Sequence, residues 1–244
     1  MPQRAPQGPA WLVLPTYNEA DNIEAFVAAV LAKLPASARV LIVDDNSPDG
    51  TGEIADRLAA GNEAVTVLHR EQKEGLGPAY IAGFRRVLAE GAGLVLEMDS
   101  DFSHDPAYLP RLLEAGERAD LAIGSRYVEG GGVDDWSPLR RAISRGGSAY
   151  ARLLLGVGVR DLTGGFKCFR REVLEAIDFD SIRSRGYAFQ IEMTYRAIQR
   201  GFSVVEVPIV FRDRRAGTSK MDRSIVAEAA WRVPLLRLDG KSTR

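Results

Sequence analysis

The sequence predicts an α/β fold in which helices flank a mostly parallel sheet. Through the first half of the chain, short apolar runs alternate with segments whose apolar residues recur at helical spacing. The apolar runs lack the polar alternation of a half-exposed strand, so we expect them to be buried on both faces. Strand–helix units joined by short connections are typical of a doubly wound sheet, and a C-terminal elaboration follows them.

The elements of the first half follow one another regularly. Strands are predicted at 11–14, 40–43, 65–68, 94–98 and 121–123, and helices at 18–34, 49–58, 78–89 and 107–118. Ile23, Phe26 and Val30 show the helical spacing of the first helix, and Pro35 ends it. Asp49-Gly50-Thr51 marks the start of the second helix.

The pattern changes after Gly124. A glycine-rich loop follows, and helices are predicted at 144–155, 172–177 and 189–200, with a turn into the segment 166–169 between the first two. A strand is predicted at 204–211, then a basic loop at 212–220 and a last helix from residue 224. Pro208 favours an edge position for the last strand because it cannot donate a ladder hydrogen bond. Since no linker separates these parts, we predict a disordered tail at 1–10, one domain at 11–222, and an amphipathic helix and tail at 223–244.

Composition excludes several classes of protein. The chain has 244 residues, of which 45% are hydrophobic and 27% charged, as in ordinary globular proteins. A single cysteine, Cys168, rules out an internal disulfide and carries no zinc pattern. No apolar run reaches the roughly 18–20 residues that span a bilayer, and the first nine residues lack the apolar core of a signal peptide. We therefore expect a reducing, cytoplasmic location.

Positive charge is concentrated in two blocks although the net charge is −1. Residues 126–171 contain nine Lys and Arg against four Asp and Glu, and residues 205–244 contain nine against five. Such blocks indicate an anionic ligand, an anionic lipid or nucleic acid, or else they are solvated surface charges.

Asp99 and Asp101 follow the fourth predicted strand and form the most informative motif. Ligands of open α/β folds bind where the carboxyl ends of the strands meet. Carboxylate oxygens suit Mg²⁺ or Mn²⁺, which typically take one or two protein carboxylates together with substrate phosphates. An isolated Asp-x-Asp also occurs on solvated turns. The residues around the motif therefore decide whether it indicates a metal site.

Polar residues follow the other predicted strands as well. They lie at 15–19, at 44–51 and around Lys73, and parallel strands would bring them to the same edge as Asp99. This combination suits a nucleoside diphosphate. The chain has no Gly-x-x-x-x-Gly-Lys-Ser/Thr run and no Gly-x-Gly-x-x-Gly after the first strand, which weighs against a P-loop hydrolase and a dinucleotide oxidoreductase.

These motifs resemble those of inverting glycosyltransferases of family 2, which have the GT-A fold, and more narrowly those of polyprenol- or dolichol-phosphate mannose synthases. The matching segments are 13–19, 43–51, 98–104, 124–127, 161–166, 186–193 and 213–220, spread over residues 11–222. The resemblance implies a metal-dependent transferase of the dolichyl-phosphate β-D-mannosyltransferase type, with GDP-mannose as donor, a polyprenyl monophosphate as acceptor and Mg²⁺ or Mn²⁺ as cofactor.

The resemblance also implies a set of site residues. The nucleotide sugar would contact Pro15, Thr16, Tyr17, Glu19, Val43, Asp45, Lys73, Asp99, Ser100 and Asp101. The metal would contact Asp99, Asp101 and Ser103, and the acceptor phosphate would contact Arg126, Arg140, Ser144, Arg214 and Lys220. Catalysis would depend on Asp99, Asp101, Arg126, Arg214 and Lys220. Ser100 stands where many family members have Ala, and the position of Ser103 varies across the family.

The basic blocks are consistent with this chemistry. A phosphate monoester has a second pKa of about 6, so it is already an anion near neutral pH and needs no general base. Arginine binds such a group through two parallel hydrogen bonds. Direct attack from the face opposite the leaving group would invert the anomeric centre and give a β-mannosyl phosphate.

Other interpretations remain open at this point. The donor is UDP-glucose in one alternative; in another, a sugar hydroxyl is the acceptor and Glu192 is the base. A non-catalytic nucleic-acid-binding module fits the basic blocks, but the clustered carboxylates would repel a polyanion, so we expect no nucleic acid partner.

Two segments near the C-terminus admit a functional and a structural interpretation. The basic loop that contains Arg214 and Lys220 is either a lid over the donor phosphates or an ordinary exposed loop. The last segment, with Trp231 and Arg232, either lies in a membrane interface or caps the core. We expect a peripheral location at the cytoplasmic face of a membrane, through surface adhesion or a membrane-anchoring partner protein.

Overall fold

A computed structural model describes residues 6–184, 186–212 and 231–238. Its strands are β1 Ala10–Thr16, β2 Arg39–Asp44, β3 Val65–His69, β4 Leu94–Glu97, β5 Leu121–Ser125, β6 Gly132–Val133, β7 Lys167–Arg170, β8 Val204–Pro208 and β9 Val210–Phe211. Its α-helices are α1 Ile23–Leu31, α2 Thr51–Gly61, α3 Leu76–Ala89, α4 Leu109–Arg118, α5 Pro138–Leu155, α6 Arg171–Ala176, α7 Gly186–Gln199 and α8 at 231–238.

Seven strands form one sheet in the order β3-β2-β1-β4-β7-β5-β8. The pairs β3–β2, β2–β1, β1–β4 and β5–β8 are parallel, while β7 runs antiparallel to both β4 and β5. The predicted α/β class with a mostly parallel sheet is therefore confirmed. The carboxyl ends of β1, β2, β4 and β5 lie at one edge, where the polar segments follow.

The sheet is buried on both faces, as the apolar runs predict. Trp11 and Val13 of β1 face one hydrophobic core, and Leu12 and Leu14 face the other. Helix α3 lies very close to β1, since a Cβ on Gly83 would be 2.4 Å from Cγ1 of Val13. Only glycine permits this approach, which fixes α3 beside the strands that carry the site.

Several element boundaries differ from the prediction, and the starts of two helices differ most. The first helix begins at Ile23 and not at Asn18, because Asn18 has a φ of 55° that no right-handed helix accommodates. Helix α5 begins at Pro138, before the predicted residue 144, because Ser137 accepts a capping hydrogen bond from Arg140 N and proline suits the first helical turn.

The predicted strand 204–211 is two strands. β8 ends at Pro208 on the edge of the large sheet, and this edge position of Pro208 is confirmed. β9 then pairs in parallel with β6 in a separate two-stranded sheet. The change of sheet at Ile209 carries Phe211 from the edge of the large sheet towards the loop after β4, where Arg212 N donates to Ser103 O at 3.1 Å.

The last described helix, α8, packs on the core through Val233 and Leu236. Nη1 of Arg237 donates to Leu154 O, which joins α8 to the end of α5. Trp231 of α8 is 67% exposed. Among the described helices, none is both long and apolar enough to cross a bilayer. The predicted limits of the tail, the domain and the C-terminal helix stay predictions.

Candidate active site

The turn after β4 presents two carboxylates. The side chain of Asp99 is 34% exposed, and Oδ1 of Asp99 accepts a hydrogen bond from the Tyr80 hydroxyl at 3.4 Å. Asp101 is buried, and its Oδ1 accepts from Ser103 N at 3.0 Å. The Ser103 hydroxyl is buried and has no hydrogen-bond partner among the described residues. The turn thus holds two carboxylates and an unsatisfied hydroxyl oxygen close together.

Backbone strain accompanies this turn. Phe102, between Asp101 and Ser103, has a φ of 62°, a conformation that bulky residues rarely adopt. Its ring contacts Phe26 edge-on at 4.9 Å, which holds the residue in place. Strained residues of this kind cost about 1–3 kcal/mol each and occur preferentially at functional sites.

The ends of β1, β2 and β4 are joined by hydrogen bonds. The Ser100 hydroxyl donates to Pro15 O at 3.3 Å, and the Thr16 hydroxyl donates to Val43 O at 3.4 Å. Asp45 N donates to Thr16 O at 3.1 Å. Five residues of the predicted nucleotide-sugar set are therefore brought together at one sheet edge, as the parallel topology requires.

Asp45 has a partner that the sequence did not indicate. Nη1 of Arg70 lies 2.5 Å from Oδ1 of Asp45, and both side chains are largely buried. Burial raises the pKa of Asp45, and the neighbouring Arg70 guanidinium partly opposes that rise. Arg70 directly follows β3, a parallel strand. This position in the sequence is the feature that could have indicated Arg70 as a residue of the same sheet edge.

Tyr17, Lys73 and Glu19 lie in the loops of the same edge. The Lys73 ammonium is 3.8 Å from the centre of the Tyr17 ring. Glu19 is buried, its Oε2 accepts from Nδ2 of Asn22 at 3.0 Å, and its backbone N–H donates to the Thr51 hydroxyl at 2.9 Å. Lys73 and Tyr17 are thus adjacent, and Glu19 is fixed where β1 leads into α1.

Arg126, at the end of β5, forms a buried ion pair with Asp161. Nε of Arg126 is 2.7 Å from Oδ2 of Asp161, and Nη2 is 2.7 Å from Oδ1. Nη2 also donates to the Thr163 hydroxyl at 2.8 Å. Burial alone would lower the pKa of Arg126, but the Asp161 carboxylate raises it, so the guanidinium is charged. We did not single out Asp161 from the sequence, although it lies in one of the matching segments.

Arg126 and the acidic turn meet at Phe211. The Arg126 Cζ lies 5.5 Å from the Phe211 ring centre, and the His104 ring lies 5.2 Å from it. His104 is fully buried, and burial lowers its pKa to about 4, so the imidazole is neutral at physiological pH. A fixed cation and two carboxylates therefore belong to one site.

The start of α5 is joined to Arg126 through aromatic rings. The Cζ atoms of Arg140 and Arg126 lie 4.3 and 5.8 Å from the Trp136 ring centre. The Tyr127 hydroxyl donates to the Ser144 hydroxyl at 2.6 Å. Arg140 and Ser144 thus lie near Arg126, and their binding of a phosphate stays a prediction. Arg214 and Lys220 lie outside the described residues.

Three buried polar residues, Glu97, Lys167 and Gln190, form a layer next to the acidic turn. The Lys167 ammonium is 3.4 Å from Oε1 of Glu97 and donates to Gln190 O at 3.0 Å, and all three side chains are buried. Burial raises the pKa of Glu97 to about 7. A Cβ on Gly165 would lie 3.3 Å from Nε2 of Gln190 and 3.8 Å from Oδ2 of Asp99, so this layer reaches the site directly.

The donor set fits a hard divalent cation. Asp99 and Asp101 supply carboxylate oxygens, and Ser103 supplies a hydroxyl oxygen that has no other partner in the described part of the chain. Within the described parts of the chain, no three His, Cys, Asp or Glu side chains cluster closely enough to hold a metal. Mg²⁺ and Mn²⁺ use one or two protein carboxylates together with substrate phosphates, and the turn provides that number.

A glycosyltransferase family matches most of the chain. The profile described as "Glycosyl transferase family 2" covers residues 11–178. The chain belongs to glycosyl transferase family 2. The matched residues include the ends of β1, β2, β4 and β5 and the Arg126–Asp161 pair, and they end before α7.

Two curated relatives are similar over nearly the whole family 2 chain. The polyprenol monophosphomannose synthase of Mycolicibacterium smegmatis is 49% identical over 235 residues, which cover 96% of this chain and 88% of the relative. The undecaprenyl-phosphate mannosyltransferase of Micrococcus luteus is 50% identical over 217 residues, which cover 89% of each chain.

Solved structures share the fold of this family 2 chain. Glucosyl-3-phosphoglycerate synthase of Mycobacterium tuberculosis, in complex with Mn²⁺, uridine diphosphate and glucosyl-3-phosphoglycerate, superposes with a TM-score of 0.67. The alignment covers 96% of this chain and 80% of that one, at 20% sequence identity. At this identity the likeness shows the fold alone, which agrees with the predicted GT-A architecture.

Proposed function

We propose that this family 2 enzyme transfers mannose from GDP-mannose to a polyprenyl monophosphate, with inversion at the anomeric carbon. The observation that carries the proposal is the meeting of Asp99 and Asp101 with Arg126 at one edge of the sheet. The two relatives that are about half identical, named for polyprenol and undecaprenyl-phosphate mannosyl transfer, support this sugar and this acceptor.

The donor would lie across the ends of β1, β2 and β4. We assign the guanosine to Pro15, Tyr17, Glu19, Val43 and Asp45, with Lys73 and Thr16 near the nucleotide. The diphosphate would then reach Asp99, Ser100 and Asp101. Asp99, Asp101 and Ser103 would hold a Mg²⁺ or Mn²⁺ ion, which would supply positive charge to the departing nucleoside diphosphate. The manganese in the structural neighbours supports a divalent ion without choosing between the two metals.

The acceptor phosphate would bind Arg126, Arg140 and Ser144, together with Arg214 and Lys220 from the basic loop. Asp161 fixes the orientation of Arg126, so the cation meets the acceptor without first reorganising. An acceptor phosphate already carries negative charge at neutral pH, and its oxygen attacks the anomeric carbon without a base.

The environment of Glu192 favours a phosphate acceptor over a sugar hydroxyl. Glu192 is 1% exposed, and its Oε1 accepts from Nε of Arg196 at 2.8 Å. Nη2 of Arg232 lies 4.0 Å from its other oxygen. A general base must come within hydrogen-bond reach of the proton that it removes, and Glu192 is buried and already bonded to Arg196, which weakens the hydroxyl-acceptor alternative.

The lipid acceptor places the enzyme at a membrane. We propose a peripheral position at the cytoplasmic face, where the nucleotide sugar is available, either on the lipid surface itself or beside a membrane-anchoring partner protein. Nucleic acid is not part of this proposal.

The test is incubation of the purified protein with radiolabelled GDP-mannose and a short polyprenyl phosphate, followed by lipid extraction. Parallel arms contain UDP-glucose as donor, a neutral oligosaccharide as acceptor, EDTA, Mg²⁺ or Mn²⁺. We expect labelled lipid only with GDP-mannose, polyprenyl phosphate and a metal. Transfer from UDP-glucose alone, or to the oligosaccharide, would overturn the proposal.

A further inference from the structure

Tyr80 is a buried tyrosine of α3 whose hydroxyl reaches the acidic turn after β4. The residue is 0% exposed, and its hydroxyl donates to Oδ1 of Asp99 at 3.4 Å. Buried tyrosine hydroxyls usually have a hydrogen-bond partner. Here the partner is a carboxylate that we assign to the metal, so this hydrogen bond joins the hydrophobic core to the candidate site.

Aromatic packing fixes the direction of the Tyr80 hydroxyl. The Tyr80 ring stacks with Phe84, at 5.7 Å between ring centres, and with Phe189 of α7, at 6.1 Å and with planes 2° from parallel. The close approach of α3 and α7 permits this stack, since a Cβ on Gly77 would lie 3.0 Å from Cδ2 of Phe189. The hydroxyl therefore projects from a ring that two neighbouring rings hold, and it donates to Asp99 from a fixed direction.

Asp99 depends on such an outside contact more than Asp101 does. Asp101 is 3% exposed and accepts from Ser103 N within its own turn. The side chain of Asp99 is 34% exposed, and the backbone N–H of Asp99 donates to Nδ1 of the buried His104 at 3.4 Å. The His104 contact holds the backbone of Asp99, while the Tyr80 contact restricts the rotation of its carboxylate group.

A hydroxyl orients a carboxylate without balancing its charge. Asp161, by contrast, is paired with Arg126, whose guanidinium offsets the negative charge of the carboxylate. The Tyr80 hydroxyl carries no charge at neutral pH, so Asp99 keeps the charge that attracts a divalent ion. Carboxylates that ligate metals are themselves hydrogen-bonded, and removal of such a hydrogen-bond partner typically lowers metal affinity or activity about 10- to 100-fold.

We propose that Tyr80 is a positioning residue for the metal: its hydroxyl holds the Asp99 carboxylate in the orientation that binds Mg²⁺ or Mn²⁺ together with Asp101. The proposal deepens the proposed function and rests on it for the assignment of a metal to this turn. Tyr80 acts through Asp99 and not by contact with the metal. Because metal binding is measurable without any transfer of sugar, the two proposals can be tested separately.

The first experiment measures binding of Mn²⁺ to the full chain by electron paramagnetic resonance, which reports the free ion. The titration is made with Mn²⁺ alone and with Mn²⁺ and GDP. The variant Tyr80→Phe removes a single oxygen atom and keeps the aromatic stack. We expect its dissociation constant for Mn²⁺ to be about tenfold higher than that of the native protein, or more.

The matched control is Tyr195→Phe. Tyr195 is another buried tyrosine, 5% exposed, and it lies about 120° around α7 from Phe189. Its affinity for Mn²⁺ should equal that of the native protein. Circular dichroism and urea unfolding confirm that both variants are folded. Equal Mn²⁺ affinity of Tyr80→Phe and the control would overturn the proposal.

The second experiment titrates the metal in the lipid-extraction assay. For Tyr80→Phe, the half-saturating metal concentration should rise about tenfold, and the rate at saturating metal should return to within about twofold of the native rate. A rate that stays low at every metal concentration would indicate a general structural role and overturn the proposal.

The two experiments also separate this inference from the proposed function. If the Mn²⁺ affinity depends on Tyr80 but the native protein transfers no mannose, the positioning role stands and the proposed function fails. If the native protein transfers mannose but binds no Mn²⁺, with or without GDP, the positioning role fails.

Discussion

Replacing Asp161 by Asn tests whether the buried ion pair holds Arg126 in place. In the native protein, Oδ2 of Asp161 accepts from the backbone N–H and Nε of Arg126, at 2.9 and 2.7 Å, and Oδ1 accepts from Nη2 at 2.7 Å. An asparagine amide nitrogen placed at either oxygen position would face one or two donors of Arg126. The variant therefore loses the opposite charge and at least one hydrogen bond, without a change of volume.

The expected loss of stability is large. Arg126 is 6% exposed and Asp161 is 0% exposed, so the guanidinium would remain buried without its counter-charge. Breaking one partner of a buried ion pair costs about 3–5 kcal/mol. Domains are stable by only about 5–15 kcal/mol, so Asp161→Asn should remove roughly a fifth or more of the free energy of unfolding.

Urea unfolding followed by circular dichroism measures this loss. The control is Glu114→Gln, which breaks the ion pair between Glu114 and Arg118; these side chains are 57% and 74% exposed. Exposed pairs of this kind contribute roughly 0.3–0.5 kcal/mol. Adding Arg126→Gln to Asp161→Asn should restore part of the stability, because the unpaired charge is then removed.

Two results would refute this reasoning. One is a loss of less than about 1 kcal/mol in the free energy of unfolding of Asp161→Asn, comparable with the control. A buried charge without a partner should destabilise the protein by more than that. The other is unchanged mannose transfer by a folded Asp161→Asn protein, because Arg126 would then not need its fixed orientation. A folded variant should instead show a lower kcat.

Three further predictions concern the site. Asp101→Asn should abolish metal-dependent transfer and leave the fold intact, whereas Asp105→Asn in the same turn should retain activity. Full activity of Asp101→Asn in the lipid-extraction assay would refute the proposal that Asp101 holds the metal. Arg214→Ala or Lys220→Ala should lower turnover at least about tenfold by weakening phosphate binding, and unchanged steady-state kinetics would leave the basic loop without a role. Because the pKa of Glu97 is raised from 4.5 to about 7, its contribution to stability is fully present below pH 4.5 and is lost as the pH rises through about 7, an effect of order 3 kcal/mol. Urea midpoints across this range should fall in the native protein and stay flatter in Glu97→Gln, and parallel curves would exclude Glu97 as the source.

Residues that directly follow a strand could be placed from the sequence. Burial of a strand on both faces is visible in its composition, and parallel topology then brings the following residues to one edge. This reasoning placed Asp99, Asp101 and Asp45 together, and the hydrogen bonds between the ends of β1, β2 and β4 agree with it. Arg126 was assigned to the site through the resemblance alone. The start of α5 was predicted too late because the cap formed by Ser137 was not recognised.

Partners across the sheet could not be placed in this way, because they depend on a strand inserted from a distant part of the chain. β7 enters antiparallel between β4 and β5, and its register puts Lys167 opposite Glu97. Within the sequence, Glu97 is one polar residue in an apolar strand, and nothing local indicates a buried cation beside it. The Arg126–Asp161 pair likewise joins two segments that only the tertiary fold brings together.

The buried layer has a consequence for the site above it. Desolvating Glu97 and Lys167 costs several kcal/mol, and two apolar side chains of similar volume would often be at least as stable. Stability alone therefore does not account for the pair. Lys167 also holds Gln190, whose side-chain amide nitrogen would lie 3.3 Å from a Cβ on Gly165, while Oδ2 of Asp99 would lie 3.8 Å from the same Cβ. The pair therefore holds Gln190 against Gly165, the residue that lies between Gln190 and Asp99.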